Sequence, residues 1–411
     1  MGRLEKLEEL DASGCKYLQG EIPSEIGDLS SLQVLRLEKT RISGLPKGIH
    51  KLSCLQELDL GKCEELQSLP ELPSSLTSLH LVCERIPDIA NLINLIQLSM
   101  KVRNLSALTT MKTLSQLVDL HIELHDDIKW LPDLPSSLLK LKVSQGPDLE
   151  RFPDLSNFKR LSELHLHSCS ELTEIKGHEE LVCLTALTAS FCEKLYKLEG
   201  LEPCENLGLK RIEAGNCRKL VEITGLYNAE HLEVLDLSDC SSLERLPELP
   251  CPGALKDLNI SGCEKIHDIQ ALEEFSLCKR LCIEQCKLIV NLPDLSEFED
   301  LEYLTLNECP QLVDVPGLDR ARSLKFINIS RCEMLENLPD LSGLELLEDL
   351  KVRHCGKLAE LQGLGGLRCL SIVDFSGCNL LKSPELPSRT RQVCSLFNLF
   401  DYDNPGQIVL R

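Results

Sequence analysis

A repeat of fixed length dominates the C-terminal half of this 411-residue chain. Segments such as LEVLDLSDC, LKDLNISGC and LEYLTLNEC share one pattern, in which leucine or isoleucine alternates with polar residues before a cysteine. We call the second leucine of each segment, or the isoleucine in its place, the anchor. Successive anchors here are 23 residues apart without exception, and this strict period indicates a solenoid of stacked repeats. The six anchors are Leu235, Leu258, Leu281, Leu304, Ile327 and Leu350.

The alternation around each anchor predicts a short strand with one apolar face. A single strand of this kind cannot bury its own apolar face, whereas stacked repeats bury a continuous core. The predicted fold is an α/β leucine-rich-repeat solenoid. It is a horseshoe with a curved parallel sheet on the concave face and short loop or 3-10 segments on the convex face. Phrases such as LPELPSSL at 69–76 belong to the convex turns, because proline lacks the N–H that a strand interior requires.

The pattern extends on both sides of this stretch and predicts 17 strands in all, with anchors from Leu10 to Val373. We predict a solenoid over residues 1–385 and a C-terminal cap or tail over residues 386–411, where the pattern decays. The first repeat lacks the polar cap that an exposed solenoid end normally requires. This predicts that the chain begins inside a longer ancestor.

The array is irregular over residues 77–150. Its anchors lie 19 to 22 residues apart, and the position five residues after the anchor, which holds cysteine elsewhere, holds other residues here. We expect altered curvature or local mobility in this block, because charged side chains would occupy a buried position. The residues at that position are Glu84, Arg103, His125 and Gly146.

Cysteine occupies the position five residues after the anchor in twelve repeats. The chain turns away from the strand at this point, and a buried free thiol is small enough to fill the turn. One cysteine per repeat forms a ladder of separate thiols rather than a framework of disulfides. The ladder therefore predicts a reducing compartment, the cytoplasm or also the nucleus. The ladder cysteines are Cys15, Cys63, Cys169, Cys192, Cys217, Cys240, Cys263, Cys286, Cys309, Cys332, Cys355 and Cys378.

The charge balance argues against two classes of partner. The net charge is −21, from 44 basic and 65 acidic residues. A strongly acidic protein repels the phosphates of nucleic acids and the anionic surface of membranes, so we predict neither partner. The N-terminal segment MGRLEKLEEL is charged from its third residue and is not a signal peptide, and no apolar run approaches membrane-spanning length.

The sequence contains no recognisable catalytic constellation, so we predict neither an enzyme nor a cofactor. Gly356 and Lys357 lack the upstream glycine of a phosphate-binding loop. Cys278, Cys282 and Cys286 are close in sequence, but the repeat places them on different sides of the chain. We therefore expect no metal site at these cysteines.

Three histidines are predicted to lie on the concave face. His165 and His167 lie two residues apart on one strand, and His121 lies two strands away. Imidazoles in this arrangement can bind a metal. Solvent-facing histidines of a repeat protein more often contact a partner, so we predict no metal and treat all three as candidate partner-binding residues.

A second candidate surface lies nearer the C-terminus. Residues beside each anchor point outward, so equivalent residues of neighbouring repeats form a file about 5 Å apart. Arg280, Tyr303 and Phe326 are consecutive in one file, and arginine and tyrosine are enriched at binding hot spots. Nearby cations predict a local basic rim, and we predict that the patch binds a protein partner. The rim residues are Arg331, Arg353 and His354.

The phrases DLSDCSSLERLPELP and LGKCEELQSLPELPSSL resemble the leucine-rich region of plant intracellular immune receptors of the TIR–nucleotide-binding–leucine-rich-repeat class. The resemblance covers nearly the whole chain. It implies a cytosolic recognition module that binds a pathogen effector or a guarded host protein and, in a full-length receptor, restrains the nucleotide-binding domain. The chain contains neither the TIR domain nor the nucleotide-binding domain, so their activities are not implied.

Other classes remain open. A free-standing leucine-rich-repeat scaffold, adaptor or regulator of signalling would use the same surface. The phrase GEIPSEIGDLSSL at 20–32 is similar to repeats of extracellular plant receptor kinases, although it occurs only once. A substrate receptor of a ubiquitin ligase would need an adaptor-binding domain before the repeats.

Overall fold

The computed structural model describes residues 4–83, 88–103, 108–177, 180–199, 201, 208–227, 229–249 and 254–392. It divides the chain into two compact units, Met1–Asp268 and Ile269–Arg411, which we treat separately.

The first unit is built around twelve parallel strands, and successive strands within the unit are hydrogen-bonded to each other. Adjacent anchors pair directly, as Leu35 does with Leu58 and Leu98 with Leu120. The strands are β1 (Glu9–Asp11), β3 (Val34–Arg36), β5 (Glu57–Leu60), β6 (Ser78–Val82), β7 (Gln97–Val102), β8 (Asp119–Leu124), β9 (Lys140–Ser144), β10 (Glu163–His167), β11 (Ala186–Ser190), β13 (Arg211–Glu213), β15 (Val234–Asp236) and β16 (Asp257–Asn259).

Smaller elements complete the outer part of the first unit. The parallel pair β2 (Gln19–Glu21) and β4 (Arg41–Gly44) forms one two-stranded sheet, and β12 (Lys197–Leu198) pairs with β14 (Glu222–Ile223) in another. The described 3-10 helices of this unit are Ser24–Asp28, Lys47–Lys51 and Met111–Thr113.

The second unit repeats the same plan with six parallel strands and short 3-10 helices between them. The last described strand, β22 (Arg391–Gln392), lies in the described part of the predicted cap or tail and pairs with β21 (Ile372–Asp374). The strands are β17 (Arg280–Cys282), β18 (Tyr303–Thr305), β19 (Phe326–Asn328), β20 (Asp349–Lys351), β21 (Ile372–Asp374) and β22 (Arg391–Gln392). The helices are Gln270–Glu274, Leu295–Glu297, Leu318–Arg320, Leu341–Gly343 and Leu364–Gly366.

These elements confirm the predicted leucine-rich-repeat solenoid. In the strands between the ends of the array, from β3 to β20, the anchor and the residue two positions later face the core, as Leu304 and Leu306 do with no exposed surface. Polar residues alternate with them on the opposite side, which we call the open face. Every helix in the described part of the chain is a 3-10 helix of three to five residues, so the helical part of the predicted class is confined to short turns.

The ladder cysteines connect each repeat to the one before it. The carbonyl oxygen of Leu237 accepts the backbone N–H of Cys240 at 3.2 Å and the thiol of Cys263 at 3.1 Å. Cysteine therefore provides a donor small enough for the core, and burial raises the pKa of Cys240 to about 12, which keeps its thiol protonated. Thiols reach the same carbonyl of the preceding repeat at Cys63, Cys217, Cys240, Cys309, Cys332, Cys355 and Cys378.

The remaining ladder positions differ in burial. Cys169, Cys192 and Cys286 are fully buried, as predicted. Cys15 is exposed and Cys378 is only half-buried, so the prediction of buried thiols is wrong at Cys15. The physical reason is that the preceding repeat covers each buried thiol, and no described repeat precedes Cys15.

The irregular block corrects a second prediction. Strands β7 and β8 are six residues long there, and continued alternation turns the fourth residue after the anchor into the core. Val102 and Leu124 are buried at that place, whereas Arg103 is exposed and His125 is half-buried. The predicted burial of charge at these two positions is therefore wrong. Gly146 is buried, and Glu84 lies outside the described residues.

Candidate functional site

The predicted aromatic patch is assembled on the open face of the second unit. Arg280 pairs in register with Tyr303 on the neighbouring strand, and Tyr303 with Phe326 on the next. The two rings are 6.5 Å apart between centroids and inclined at 35°. Tyr303 is 41% exposed, although large hydrophobic residues are generally placed inside a fold.

A cation completes the patch on its other side. The Nζ atom of Lys351 lies 4.8 Å from the ring centroid of Phe326, within the range of a cation–π interaction. The same ammonium lies 3.2 Å from Asp349 Oδ2, which holds it in place. Phe326 thus lies between the Tyr303 ring and the Lys351 ammonium, and the patch is a preorganised, amphipathic surface.

The predicted basic rim is largely neutralised by acids of the protein itself. Arg331 Nη1 lies 2.6 Å from Glu308, and Arg353 Nε lies 2.7 Å from Asp374. The third rim residue, His354, is exposed. The rim therefore contributes less free positive charge than the sequence alone predicted, and Arg353 has a structural partner.

A second polar surface runs across the open face of the first unit. The residue after the anchor is His121 on β8, Lys142 on β9 and His165 on β10, and the strand register places the three side by side. They line one wall of a groove of about 520 Å³. The sequence had indicated the two histidines, and the structure adds the lysine between them and His80 two strands earlier.

Hydrogen bonds fix the orientation of the groove imidazoles. His121 Nδ1 lies 3.3 Å from Ser99 Oγ, and its Nε2 lies 3.2 Å from Ser144 Oγ. His165 Nδ1 lies 3.0 Å from Thr188 Oγ1. The rings are thus held at defined positions by neighbouring strands.

The electrostatic environment differs along this file. The hydrogen bond with Asp59, at 3.2 Å, raises the pKa of His80. Burial lowers the pKa of His121, and the charge of Lys142 lowers it further. A hydrogen bond from Lys140, 2.7 Å away, lowers the pKa of Glu163. The groove therefore favours the protonated ring at His80 and the neutral ring at His121.

His167 does not join this group. It lies at the end of β10, and its ring packs edge-on against Phe191 with a centroid distance of 5.2 Å. Within the described residues, no three histidine, cysteine or acidic side chains converge in a way that could hold a metal ion.

Three groove residues that the sequence did not bring to attention share one recognisable position in the repeat. His80, Lys142 and Asp59 all occupy the position immediately after the anchor, as His121 and His165 do. Comparing that one position across repeats would have revealed the file. The pairing of Arg353 with Asp374 had no such signal, because it depends on side-chain conformation.

Comparison with known proteins identifies relatives by sequence. A family model described as a leucine-rich repeat region matches residues 2–146. The TMV resistance protein N of Nicotiana glutinosa is 46% identical over 80 residues, which are 20% of this chain and 7% of that protein. Protein SUPPRESSOR OF npr1-1, CONSTITUTIVE 1 of Arabidopsis thaliana is 32% identical over 237 residues, 55% of this chain and 14% of the relative.

A further relative is similar by sequence, and two solved structures are similar in fold. Disease resistance protein RPS6 of Arabidopsis thaliana is 26% identical over 248 residues, 56% of this chain and 21% of that protein. YopM from Yersinia enterocolitica has a TM-score of 0.52 at 22% identity, covering 94% of this chain and 86% of its own. A leucine-rich-repeat protein of Leptospira interrogans has a TM-score of 0.51 at 20% identity, with coverages of 88% and 86%.

The similarities cover only a small part of each curated relative. The chain spans only 7% to 21% of the length of the three curated relatives. The structural matches establish the fold alone, and the comparisons indicate no catalytic family. In the part of the chain that the structure describes, no helix is both long and apolar enough to cross a membrane.

Proposed function

Because the chain is a leucine-rich-repeat protein whose sequence resembles the repeat regions of plant disease resistance proteins, we propose that it is the protein-recognition module of an intracellular immune receptor. Its partner is a pathogen effector or a guarded host protein, bound by the open face of the sheet. The cytoplasm, or also the nucleus, is the proposed location. The free thiols of all described cysteines support a reducing compartment.

The observation that carries the proposal is the aromatic patch of Tyr303 and Phe326. Aromatic residues make up only 4% of the chain, yet two of them stand together on the polar side of a sheet. Neither ring is needed to fill the core, since the buried side of these strands is leucine and isoleucine. Tyr303 is exposed and Phe326 half-buried, and aromatic side chains on a surface beside a cation are typical of binding hot spots.

Alanine substitution tests the patch. The intact chain and a Tyr303→Ala/Phe326→Ala double variant are immobilised and exposed to extract from infected leaf tissue, and bound proteins are quantified by mass spectrometry. We expect the specific partner to be lost from the double variant. Tyr227→Ala is the matched control, because Tyr227 is similarly exposed, at 45%, but lies outside the patch.

The fold of each variant is checked by circular dichroism before capture. Equal recovery of every bound protein by the chain and by the folded double variant contradicts the assignment of the patch.

We further propose that, in a full-length receptor, these repeats restrain a nucleotide-binding module. The relatives are much longer than this chain, which leaves room for such a module in them. The complete 5′ sequence of the transcript tests this part. A reading frame that continues upstream into a phosphate-binding-loop domain supports restraint, and translation that starts at Met1 removes it in favour of a free-standing recognition module.

A further inference from the structure

The groove of the first unit contains three consecutive nitrogen-bearing side chains, His121, Lys142 and His165. Neighbouring strands of a sheet are about 4.8 Å apart, so the three form one contiguous tract across β8, β9 and β10. No carboxylate occupies this position of the repeat between the two histidines. The tract is therefore a local concentration of nitrogen groups on a chain with a net charge of −21.

The two lysines of the groove differ in their partners. Lys140 Nζ lies 2.7 Å from Glu163, and Asp119 occupies the same register position on the other side of Lys140. Lys142 is exposed and forms no ion pair with any described residue. An ammonium of this kind can bind an incoming anion without first breaking a salt bridge inside the protein.

The imidazoles on both sides are already positioned by neighbouring side chains. His121 lies between the hydroxyl groups of Ser99 and Ser144. His165 contacts the Thr188 hydroxyl with Nδ1, and its Nε2 lies 3.4 Å from Glu163 Oε2, a carboxylate that also pairs with Lys140. Burial and the positive charge of Lys142 lower the pKa of His121, whereas the carboxylates of Glu123 and Asp119 act in the opposite direction. A negative group placed on the tract would lie directly against the ammonium of Lys142.

We infer that the tract His121–Lys142–His165 is a subsite for a carboxylate side chain of the bound protein partner. The inference rests on the proposed recognition function and specifies the chemistry of the recognised segment. The groove, at about 520 Å³, has room for a short extended peptide. A singly charged carboxylate matches the one ammonium of the tract, Lys142, which pairs with no described acid. A doubly charged phosphate would be repelled by the carboxylates of Asp119 and Glu163 about twice as strongly as a carboxylate.

A labelled-histidine titration tests the subsite directly. The full chain is prepared with ¹³C-labelled histidine, and the ring signals of His121 and His165 are followed by NMR. The probe is the peptide acetyl-Gly-Gly-Glu-Gly-Gly-amide, compared with its glutamine and phosphoserine counterparts. We expect the glutamate peptide to shift both signals with a millimolar Kd, and the glutamine peptide to leave them unchanged.

Two lysine variants provide the decisive comparison. Lys142→Gln should weaken binding of the glutamate peptide by roughly tenfold or more, because it removes the one lysine ammonium of the tract. Lys112→Gln is the matched control, since Lys112 is exposed on a 3-10 helix of the same unit and outside the groove. Both substituted side chains are exposed, so both variants should remain folded.

The acidity of the medium gives a second readout. A carboxylate beside His121 favours the protonated ring, so binding should tighten by up to about tenfold between pH 7.5 and pH 5.5. Absence of a shift with the glutamate peptide, or equal affinity in Lys142→Gln, overturns the subsite. Tighter binding of the phosphoserine peptide overturns the carboxylate class. These results are independent of the capture assay, which depends on Tyr303 and Phe326 in the other unit.

Discussion

Gly317 lies against the carboxylate of Asp294, one repeat earlier. Its backbone is in the left-handed region at φ 73°, and a β-carbon at this position would overlap Asp294 Oδ1 and the backbone nitrogen of Ser296. Asp294 in turn accepts the Ser296 N–H at 2.9 Å and begins a 3-10 helix. Gly363 and Asp340 have the same relation, so a glycine–aspartate contact recurs between successive outer turns.

Gly317→Ala should destabilise the protein by about 1–3 kcal/mol, because alanine is strained at positive φ and its methyl group displaces Asp294. The free energy of unfolding is measured by urea titration. Gly366→Ala is the matched control, since a β-carbon added to Gly366 would meet no atom within 4 Å and its φ lies outside the left-handed region. Equal loss of stability in the two variants would contradict the requirement for glycine at the contact with Asp294.

Arg353→Ala should destabilise the second unit by about 2–3 kcal/mol, because it leaves the carboxylate of Asp374 buried without its cation. Asp374 is 1% exposed and also accepts the Ser376 N–H at 3.0 Å, which reduces the loss. Arg331→Ala removes a more exposed ion pair with Glu308 and should cost less than about 1 kcal/mol. Urea denaturation of both variants measures the difference, and similar values would show that the Asp374 pair is not structural.

The pairing of His80 with Asp59 predicts a pH dependence. The raised pKa of His80 stabilises the fold below its ordinary value of 6.5, and this contribution is lost as pH rises through the folded value. The lowered pKa of Asp59 adds stability above its ordinary value of 3.8, which is lost as pH falls. Asp59→Asn should therefore cost more at pH 6 than at pH 9, by about 0.5–1 kcal/mol.

Asp236→Asn is the control for this effect. Asp236 occupies the same repeat position and accepts the Ser238 N–H at 2.9 Å, as Asp59 accepts the Gly61 N–H at 2.8 Å. Its neighbour on the next strand is Asn259 rather than a histidine. Thermal unfolding at the two pH values should show the difference for Asp59→Asn and not for Asp236→Asn.

The ladder predicts a contrast in thiol reactivity. With a pKa of about 12, Cys240 is a thiolate in roughly one molecule in 10⁴ at pH 8, and burial also excludes the reagent. Cys54 is exposed. Alkylation of the native protein followed by peptide mapping should modify Cys54 rapidly and leave Cys240 unmodified. Both should react in denaturant, and rapid native modification of Cys240 would contradict its buried, protonated state.

The anchors show how much of the fold could be predicted from the sequence. Leu235 and Leu258 could be assigned to adjacent strands from their spacing alone, because a 23-residue period leaves one way to bury every leucine. The irregular block was harder. There the strands continue for two further residues, and alternation buries Val102 and Leu124 in place of the charged residues that follow them. A local extension of strand length changes which residue faces the core.

The candidate surfaces were likewise predictable from the sequence only in part. The file of Arg280, Tyr303 and Phe326 followed from the period, since equivalent positions of neighbouring repeats must lie side by side. The ion-pair partners of the charged side chains could not be predicted from the repeat period. Arg353 is paired with an acid of its own unit, whereas Lys142 forms no ion pair with a described residue, although the repeat pattern alone treats both as surface cations.

The sequence by itself determined the solenoid, the strand register and the buried ladder, because each depends on the spacing of apolar residues along the chain. Only the tertiary structure decided which carboxylates neutralise which cations and in which direction the pKa values of His80 and His121 shift. Those contacts join side chains about one repeat apart, and they depend on side-chain conformation, local burial and competition among neighbouring strands. Spacing brings such groups together, and three-dimensional geometry determines their charge.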